Sequence, residues 1–180
     1  MDCVGVHGDH DGPAASPEFE AIDWEAWVPD VHATLLFVVR DGHVLLIEKK
    51  RGLGAGKLNG AGGKVDPGET VAEAAVREFE EELVATPVDP VLRGRVAFAV
   101  TNGDSILIHV YLAHEMIGEP VETVEAVPTW VPRNAVPYDR MWEDDRYWLP
   151  LLLDGRTFDV RTLFAGDRML GFAIEPDCSL

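Results

Sequence analysis

Three glutamates near the middle of the chain, Glu78, Glu81 and Glu82, have the spacing of neighbours on one side of a helix. Like charges at this spacing repel each other by roughly a few tenths of a kcal/mol per pair, and a bound cation would reverse that sign. Carboxylate oxygens suit Mg²⁺ or Mn²⁺, which leave coordination positions for water and substrate phosphates. For this segment taken alone, a solvated acidic helix face is the alternative interpretation.

The loop before this helix combines glycines with basic side chains. Residues 51–64 include six glycines in fourteen positions, too many for regular structure, and Gly-rich backbone can present N–H groups to an anion. Five of the fifteen basic residues of the chain lie within sixteen positions here: Lys49, Lys50, Arg51, Lys57 and Lys64. Loop and helix together predict a site for a metal-bound polyphosphate. The segment lacks the Gly-Lys-Ser/Thr element of the P-loop, which argues against an NTPase of the P-loop class.

The acidic residues belong to a helix predicted over Thr70–Leu83. Thr70 and Glu73 have the spacing of a capping box, which marks a helix start. Five apolar residues share one side of this helix and predict its core face: Ala72, Ala75, Val76, Phe79 and Leu83. A second helix is predicted over Arg146–Leu153.

Strand-like segments surround the two helices. An Asp41–Gly42 turn joins the first two as a hairpin. The predicted strands are Ala33–Val39, Val44–Glu48, Arg93–Val100, Ile106–Ala113, Val127–Val131, Phe158–Phe164 and Arg168–Ile174. Strands interspersed with helices predict an α/β fold with a mixed sheet.

Composition and charge narrow the class of protein. The 180 residues, 47% hydrophobic and 26% charged, are sufficient for one globular domain with a buried core. A net charge of −17 argues against electrostatic binding to nucleic acid or to an anionic membrane. No apolar run is long enough to span a bilayer and no signal-peptide pattern opens the chain. We therefore expect a soluble, cytoplasmic monomer that binds a small molecule.

The first 31 residues differ from the rest. Residues 1–30 contain eight acidic residues and no Lys or Arg, which predicts a flexible, solvated tail ahead of a domain at residues 32–176. Large apolar groups at residues 19–28 predict a short arm that packs on the domain or, as the alternative, on a partner. His7 and His10 are interpreted as solvated, and a disulfide between Cys3 and Cys178 has no support beyond the presence of two cysteines.

At this point the residues resemble a known family. The order is Gly63, five residues, Glu69, seven residues, then Arg77-Glu78-Phe79-Glu80-Glu81-Glu82. It is similar to the Nudix box, G-x5-E-x7-R-E-U-x-E-E-x-G-U, where U is apolar. The sequence departs from the box at its end, where Val84-Ala85 replaces the expected glycine and bulky apolar residue. Since that glycine would supply the left-handed cap, its loss puts the end of the helix in question.

The resemblance implies an α/β/α sandwich with a loop–helix–loop, and hydrolysis of a nucleoside diphosphate linked to another group. It also implies that Glu78, Glu81 and Glu82 bind the metal, with one of them orienting or deprotonating the attacking water. Arg77 and Glu69 would orient these carboxylates. The carbonyl of Gly62 and the side chain of Glu125 would be further metal ligands.

Residues 33–174 resemble one branch of the family, the oxidised purine nucleoside triphosphatases that act on 8-oxo-dGTP. The likeness is carried by residues 49–60 and by Met141-Trp142-Glu143-Asp144-Asp145-Arg146-Tyr147-Trp148. It implies a base pocket formed by Asn59, Trp142, Asp144 and Asp145, with Thr34, Lys49 and Trp148 nearby. Leu53 replaces an aromatic residue of the branch, so one wall of the pocket is expected to be less suited to stacking.

The chemistry of these residues agrees with that implication. Trp142 can offer a flat face to a purine. Adjacent carboxyls in an apolar setting do not both ionise freely, so Asp144 and Asp145 could donate one hydrogen bond and accept another. Such a pair could read both an oxidised guanine and a hydroxylated adenine. Alternatively, the aspartates cap the following helix, and Trp142 and Trp148 belong to the core.

Three functions are compatible with the sequence. The first is Mg²⁺-dependent hydrolysis of oxidised purine nucleoside triphosphates to monophosphate and pyrophosphate, which cleanses the nucleotide pool. The second keeps the Nudix chemistry with another substrate, such as a nucleotide sugar, a dinucleoside polyphosphate or ordinary NTPs. The third is a non-catalytic module that binds nucleotides or a partner, and the complete set of glutamates in the box speaks against it.

Overall fold

One mixed sheet forms the centre of the computed structural model, which describes residues 14–180. The strands are β1 (Val31–Arg40), β2 (His43–Lys49), β3 (Leu58–Asn59), β4 (Thr86–Val88), β5 (Val91–Val100), β6 (Ile106–Ala113), β7 (Glu115–Ile117), β8 (Ala126–Pro132), β9 (Phe158–Ala165) and β10 (Arg168–Pro176). The helices are α1 (Pro17–Glu20), α2 (Val71–Leu83) and α3 (Asp145–Leu153), with one 3₁₀ turn at Tyr138–Arg140.

Eight strands form the sheet in the order β10-β9-β5-β6-β1-β2-β3, with β8 also paired to β2. The β1–β6 and β5–β9 pairs are parallel, and the other pairs are antiparallel. Strands β4 and β7 form a separate two-stranded sheet. The predicted mixed sheet is therefore confirmed.

The hairpin predicted between the first two long strands is present. Arg40 pairs with His43, and both intervening residues have positive φ, 52° at Asp41 and 75° at Gly42. Two residues with positive φ match the twist of an antiparallel pair, and Asp-Gly is a favoured sequence for this turn.

The two long helices cover opposite faces of the sheet. Helix α2 packs Phe79 and Leu83 against a cluster that includes Leu36 and Val38 of β1. Helix α3 packs on the other face, where its Trp148 joins a larger cluster that also contains Phe37. Successive residues of β1 point to opposite faces, which is why a continuous apolar run serves both layers. The α/β/α sandwich is confirmed.

The segment before β1 packs on the domain. Phe19 of α1 is buried with Ala99 and Leu163 of the sheet, and Trp24 lies against it with a ring separation of 5.2 Å. Of the two alternatives for the arm predicted at residues 19–28, packing on the domain is therefore the one observed, because Phe19 and its apolar neighbours bury their surface on the sheet. His7, His10 and Cys3 lie outside the described residues, and among residues 14–180 Cys178 has no disulfide partner.

Three short strands were not predicted. Leu58–Asn59 forms β3 inside the glycine-rich loop, which was expected to lack regular structure, and pairs with Ile47 and Glu48. Strands β4 and β7 contain three residues each, too few for a periodic pattern to be recognised. Helix α3 begins one residue earlier than expected and contains Pro150.

Helix α2 ends where the box predicts, although the glycine is missing. Val84 adopts the left-handed conformation at φ 58° and ψ 32°, and its N–H donates to the carbonyl of Glu80. The end of the helix is thus preserved with a β-branched residue in a conformation that normally favours glycine. Among the described helices, the longest has 13 residues, and none combines the length and hydropathy that a bilayer-spanning segment requires.

Candidate active site

The glycine-rich loop is attached to the sheet by backbone hydrogen bonds. The N–H of Thr34 donates to the carbonyl of Gly63 at 2.8 Å, and Leu36 donates to Ala61 at 2.7 Å. The loop therefore lies alongside β1 without forming a regular strand there, and the chain then continues into α2. The helix starts with the capping box expected from sequence, in which Thr70 and Glu73 each accept from the other's backbone N–H.

Arg77 connects the loop to the glutamates of α2. Its guanidinium binds both carboxylate oxygens of Glu69, at 3.1 and 2.6 Å, and donates to Oε1 of Glu78 at 2.8 Å. A further bond of 3.1 Å reaches the carbonyl of Lys64. The hydrogen bonds that Arg77 donates to Glu69 and Glu78 raise its pKa, so the guanidinium stays charged. The geometry is that of a planar fork that fixes two carboxylates at once.

Glu82 is the buried glutamate of the set, with 2% of its surface exposed. Its Oε2 accepts the N–H of Gly62 at 2.8 Å, and its Oε1 lies 3.6 Å from Nζ of Lys49. Burial raises the pKa of Glu82, and the nearby Lys49 and the Gly62 bond oppose that rise. The negative charges of Glu78 and Glu125 raise the pKa of Glu82 further.

The remaining two acidic residues of the predicted ligand set are paired near the surface. Glu81 is the most exposed glutamate of the helix set, at 57% of its side chain, and lies 3.4 Å from the guanidinium of Arg77. Glu125 is hydrogen-bonded by Arg51. Within residues 14–180, no three His, Cys, Asp or Glu side chains already converge closely enough to form a metal centre.

The donor chemistry nevertheless fits a divalent cation. Nζ of Lys49 donates to the carbonyl of Gly62 at 3.1 Å while it approaches Glu82, so two of the predicted ligand oxygens already converge on one positive charge. Every candidate ligand is oxygen, as Mg²⁺ prefers. Glu78, Glu82 and the Gly62 carbonyl would form the inner part of such a site, and Glu81 and Glu125 its exposed side.

A cavity of about 200 Å³ opens beside this glutamate site. All seven residues predicted to bind the substrate line it: Thr34, Lys49, Asn59, Trp142, Asp144, Asp145 and Trp148. Gly62, Gly63 and Lys64 line the same cavity, so it is continuous with the loop that carries the candidate metal ligand. Pockets of this kind, largely apolar with a few converging polar groups, are typical of small-molecule sites.

Asp144 and Asp145 lie in the cavity wall and are almost completely buried, at 2% and 3% exposure. Oδ2 of Asp144 accepts from the Trp148 indole at 3.3 Å, and Oδ2 of Asp145 accepts the N–H of Trp142 at 3.0 Å. Burial raises the pKa of Asp144 to about 6. It raises the pKa of Asp145 well above the usual range, with the Asp144 charge adding to the effect. Ionisation of both carboxyls at once is therefore disfavoured.

The side chain of Asp144 does not cap the helix that follows it. Asp144 occupies the position before α3, but its side chain makes no capping hydrogen bond to the helix. Both carboxyls are instead bonded to tryptophan N–H groups at the cavity. Trp148 is 1% exposed and stacks on Phe158, so it is a core residue that also forms cavity wall, whereas Trp142 is half-buried.

Two polar atoms of the cavity wall are buried without a hydrogen-bond partner among the described residues. They are Oδ1 of Asp144 and Oγ1 of Thr34. Such atoms are rare, because leaving one unpaired costs about 1–3 kcal/mol. Asn59 directs its Oδ1 to the N–H of Gly60 at 2.8 Å. A polar ligand in the cavity would satisfy the two unpaired atoms.

Several residues of the wall were not identified from the sequence. The apolar side of the cavity comes from Val96, Phe98, Ile106 and Ile108. The alternation of apolar residues along β5 and β6 predicts that these share a face, but not that the face borders a cavity. Leu53, which replaces the expected aromatic residue, lies at the cavity with 58% of its surface exposed.

Fold and site define a class. A mixed sheet lies between two helices. On α2 and the loop before it, Arg77 binds Glu69 and Glu78 close to the buried Glu82. Residues 28–152 match the family model of the NUDIX domain, which covers more than half of the chain. The protein belongs to the Nudix hydrolase family.

Two relatives and one solved structure are similar to this chain. The chain is 43% identical over 127 residues to an oxidized purine nucleoside triphosphate hydrolase of Danio rerio, covering 69% of this chain and 81% of that protein. It is 39% identical, with the same coverage, to the protein of that name from Mus musculus. A MutT protein of Bacillus halodurans superposes with a TM-score of 0.73 over 81% of this chain and 97% of that one, at 24% identity, which supports the fold.

Proposed function

We propose that the protein hydrolyses oxidised purine nucleoside triphosphates, of the 8-oxo-dGTP and 2-hydroxy-dATP type, to the monophosphate and pyrophosphate. One observation carries the proposal. A single cavity is bordered at one place by the buried pair Asp144 and Asp145 and at another by Gly62 and Lys49, which contact Glu82. A base and its phosphate chain would thus span the two groups. The similar proteins bear the name of this activity.

The aspartate pair supports recognition of an oxidised base. Oxidation changes the pattern of donors and acceptors on the edge of a purine, and a carboxyl pair that holds a proton presents one donor beside acceptors. Oδ1 of Asp144 is unpaired and buried, so it gains a partner when a base edge enters. Trp142 would contact the face of the base, and Asn59, Thr34 and Trp148 would complete the pocket.

The glutamate site supports the use of Mg²⁺, with Mn²⁺ as a substitute. Nudix hydrolases generally use a divalent metal, which lowers the pKa of bound water and neutralises charge on phosphate oxygens. Here Glu78, Glu81, Glu82, Glu125 and the Gly62 carbonyl would hold it. Arg77 keeps Glu78 and Glu69 in position, and the buried carboxylate of Glu82 is the candidate that orients or accepts a proton from the attacking water.

The overall charge supports a free nucleotide rather than a polymer as substrate. A net charge of −17 repels nucleic acid and anionic lipid, whereas a metal-bound triphosphate carries much of its own neutralisation. We propose a cytoplasmic monomer that removes damaged nucleotides before they reach DNA.

A substrate panel with identification of the released phosphate tests the function. We expect kcat/KM for 8-oxo-dGTP to exceed that for dGTP by at least about tenfold, which corresponds to about 1.4 kcal/mol, with pyrophosphate as product. The panel includes 2-hydroxy-dATP, dATP, a nucleotide sugar and a dinucleoside polyphosphate. Equal kcat/KM for 8-oxo-dGTP and dGTP, or preference for one of the last two compounds, would overturn the proposal.

Glu82→Gln separates an enzyme from a nucleotide-binding module. We expect turnover to fall by about 10²–10⁴-fold, while the Kd for 8-oxo-dGMP changes little. Glu80→Gln is the matched control, because Glu80 lies on the same helix, is exposed and bonds Thr86 rather than the cavity. Turnover that survives Glu82→Gln would contradict the role of Glu82.

A further inference from the structure

We propose that Lys57 is a positioning residue for the base pocket, in which its ammonium group holds Trp142 in the orientation that receives the purine. The inference rests on the proposed function, because it concerns the same pocket. Among the described residues, Trp142 lines the cavity and Lys57 does not. Lys57 therefore acts on the base through Trp142.

The position of Lys57 is fixed by its own loop. Its N–H donates to the carbonyl of Gly54 at 2.9 Å, and its carbonyl accepts the N–H of Lys49 at 3.2 Å. The side chain then extends over the indole of Trp142, with Nζ 4.9 Å from the ring centroid. Only 25% of the side chain is exposed. A partly desolvated ammonium at this distance is attracted to an indole face.

The other sides of Trp142 are also occupied. The rings of Phe98 and Phe164 are each nearly perpendicular to the indole, at interplanar angles of 74° and 81° and centroid separations of 5.3 Å. Gly54 lies so close to the indole that an added Cβ would be 3.1 Å from Nε1. These contacts surround the ring, and Lys57, which is not among the residues that line the cavity, covers one of its faces.

Trp142 and Lys57 are both connected to the aspartate pair. The backbone N–H of Trp142 donates to Asp145 at 3.0 Å, so a displaced Trp142 would also disturb that carboxyl. The charge of Lys57 lowers the pKa of Asp145, against the larger effect of burial. One ammonium group thus influences the stacking surface and the edge-reading carboxyl together.

Two physical effects on binding follow. A ring that is already held loses less conformational freedom when the base binds, which improves affinity without a new contact. A cation over the indole also draws electron density from the ring, which favours stacking with an electron-rich oxidised purine. Both effects act on binding, so they are expected in KM and Kd rather than in kcat.

The test compares Lys57→Met, which keeps the length of the side chain and removes the charge, with Lys57→Arg, which keeps the charge. Calorimetry measures the Kd of 8-oxo-dGMP and dGMP without metal, so that the glutamate site does not contribute. We expect Lys57→Met to raise the Kd of 8-oxo-dGMP about three- to tenfold, to raise KM for 8-oxo-dGTP similarly, and to leave kcat within about twofold. Lys57→Arg should restore the wild-type Kd.

Two controls separate this role from general structural damage. Asp167 lies 3.6 Å from Nζ of Lys57 and is 77% exposed, so Asp167→Asn removes only the outer salt bridge and should leave the Kd unchanged. In a Trp142→Phe background, Lys57→Met should have a smaller effect than in the wild type, because the two residues act through one contact.

The outcomes are distinct. A Kd for Lys57→Met within about twofold of wild type would overturn the role of Lys57. An equal effect of Lys57→Met on the Kd in the wild-type and Trp142→Phe proteins would overturn it as well. Wild-type protein that binds 8-oxo-dGMP and dGMP equally would instead contradict the proposed function. In that case the effect of Lys57→Met on the Kd of dGMP still tests the role of Lys57.

Discussion

The carboxylate of Glu82 accepts the backbone N–H of Gly62 at 2.8 Å, across twenty residues of chain. This bond attaches the buried end of α2 to the glycine-rich loop, which lies beside β1. Both glycines at this point lack room for a side chain. A Cβ on Gly62 would be 2.0 Å from the carbonyl oxygen of Thr34, and a Cβ on Gly63 would be 2.4 Å from the carboxyl carbon of Glu78.

Gly62→Ala should destabilise the protein, because the clash is with backbone and cannot be relieved by a rotamer change. We expect the free energy of unfolding to fall by about 3 kcal/mol or more. Urea denaturation followed by circular dichroism measures it. A loss below about 1 kcal/mol would show that the loop can move away from β1.

Gly63→Ala should act on activity instead. Its clash is with the end of a side chain, so Glu78 is expected to rotate away from Arg77 while the fold remains. We expect kcat to fall by about tenfold or more, with stability within about 1 kcal/mol of wild type. Unchanged kcat at saturating Mg²⁺ would argue against a role for Glu78 in the reaction.

Val84→Gly should stabilise the protein. Val84 has φ 58° and is 64% exposed, so glycine relieves backbone strain and loses little burial. We expect a gain of about 1 kcal/mol, or a rise in Tm of about 2–4 °C. Val124→Gly is the matched control, since Val124 is 81% exposed and is not among the described residues with positive φ. Stabilisation by both variants would show that the strain at Val84 is not the cause.

Asp144→Asn should change how stability depends on pH. Burial raises the pKa of Asp144 from 3.8 to about 6, so the folded state binds this proton more tightly than the unfolded state. Its contribution to stability is complete below about pH 4 and is lost as pH rises through about 6, at up to about 1.4 kcal/mol per pH unit. Asn cannot ionise, so the variant should gain stability relative to wild type as the pH rises from about 4 to about 6.

Urea denaturation between about pH 4.5 and 7.5 measures this difference. Asp139→Asn is the control, because Asp139 is exposed in the 3₁₀ turn just before the pair. If the difference in unfolding free energy between Asp144→Asn and wild type does not vary with pH, Asp144 does not titrate in this range.

Phe19→Ala should reduce stability without affecting the reaction. Phe19 is 8% exposed and lies against Gly171, where an added Cβ would be 2.2 Å from its ring. We expect a loss of about 3 kcal/mol in the free energy of unfolding, with kcat/KM for 8-oxo-dGTP unchanged. Val28→Ala, at a residue 78% exposed, should change neither quantity. A change in kcat/KM with Phe19→Ala would indicate that the arm communicates with the site.

The sequence by itself determined the local elements of this protein. Capping residues, the Asp41–Gly42 turn and apolar periodicity predicted the hairpin, helix α2 and most long strands, because these signals act between residues close in the chain. The spacing from Gly63 to Glu82 likewise identified the family, since one helix and one loop carry the whole motif.

Tertiary structure alone decided how distant segments meet. The apolar groups of residues 19–28 predicted an arm that packs on the domain or on a partner, and the tertiary structure decided that Phe19 packs on β5, β9 and β10. Burial, rather than position on the helix, distinguished Glu82 from the exposed Glu81. Lys57 and Trp142, which are far apart in the sequence, come into contact in the folded chain. Sequence spacing does not determine such contacts, because desolvation and charge pairing depend on everything that surrounds a side chain in the folded chain.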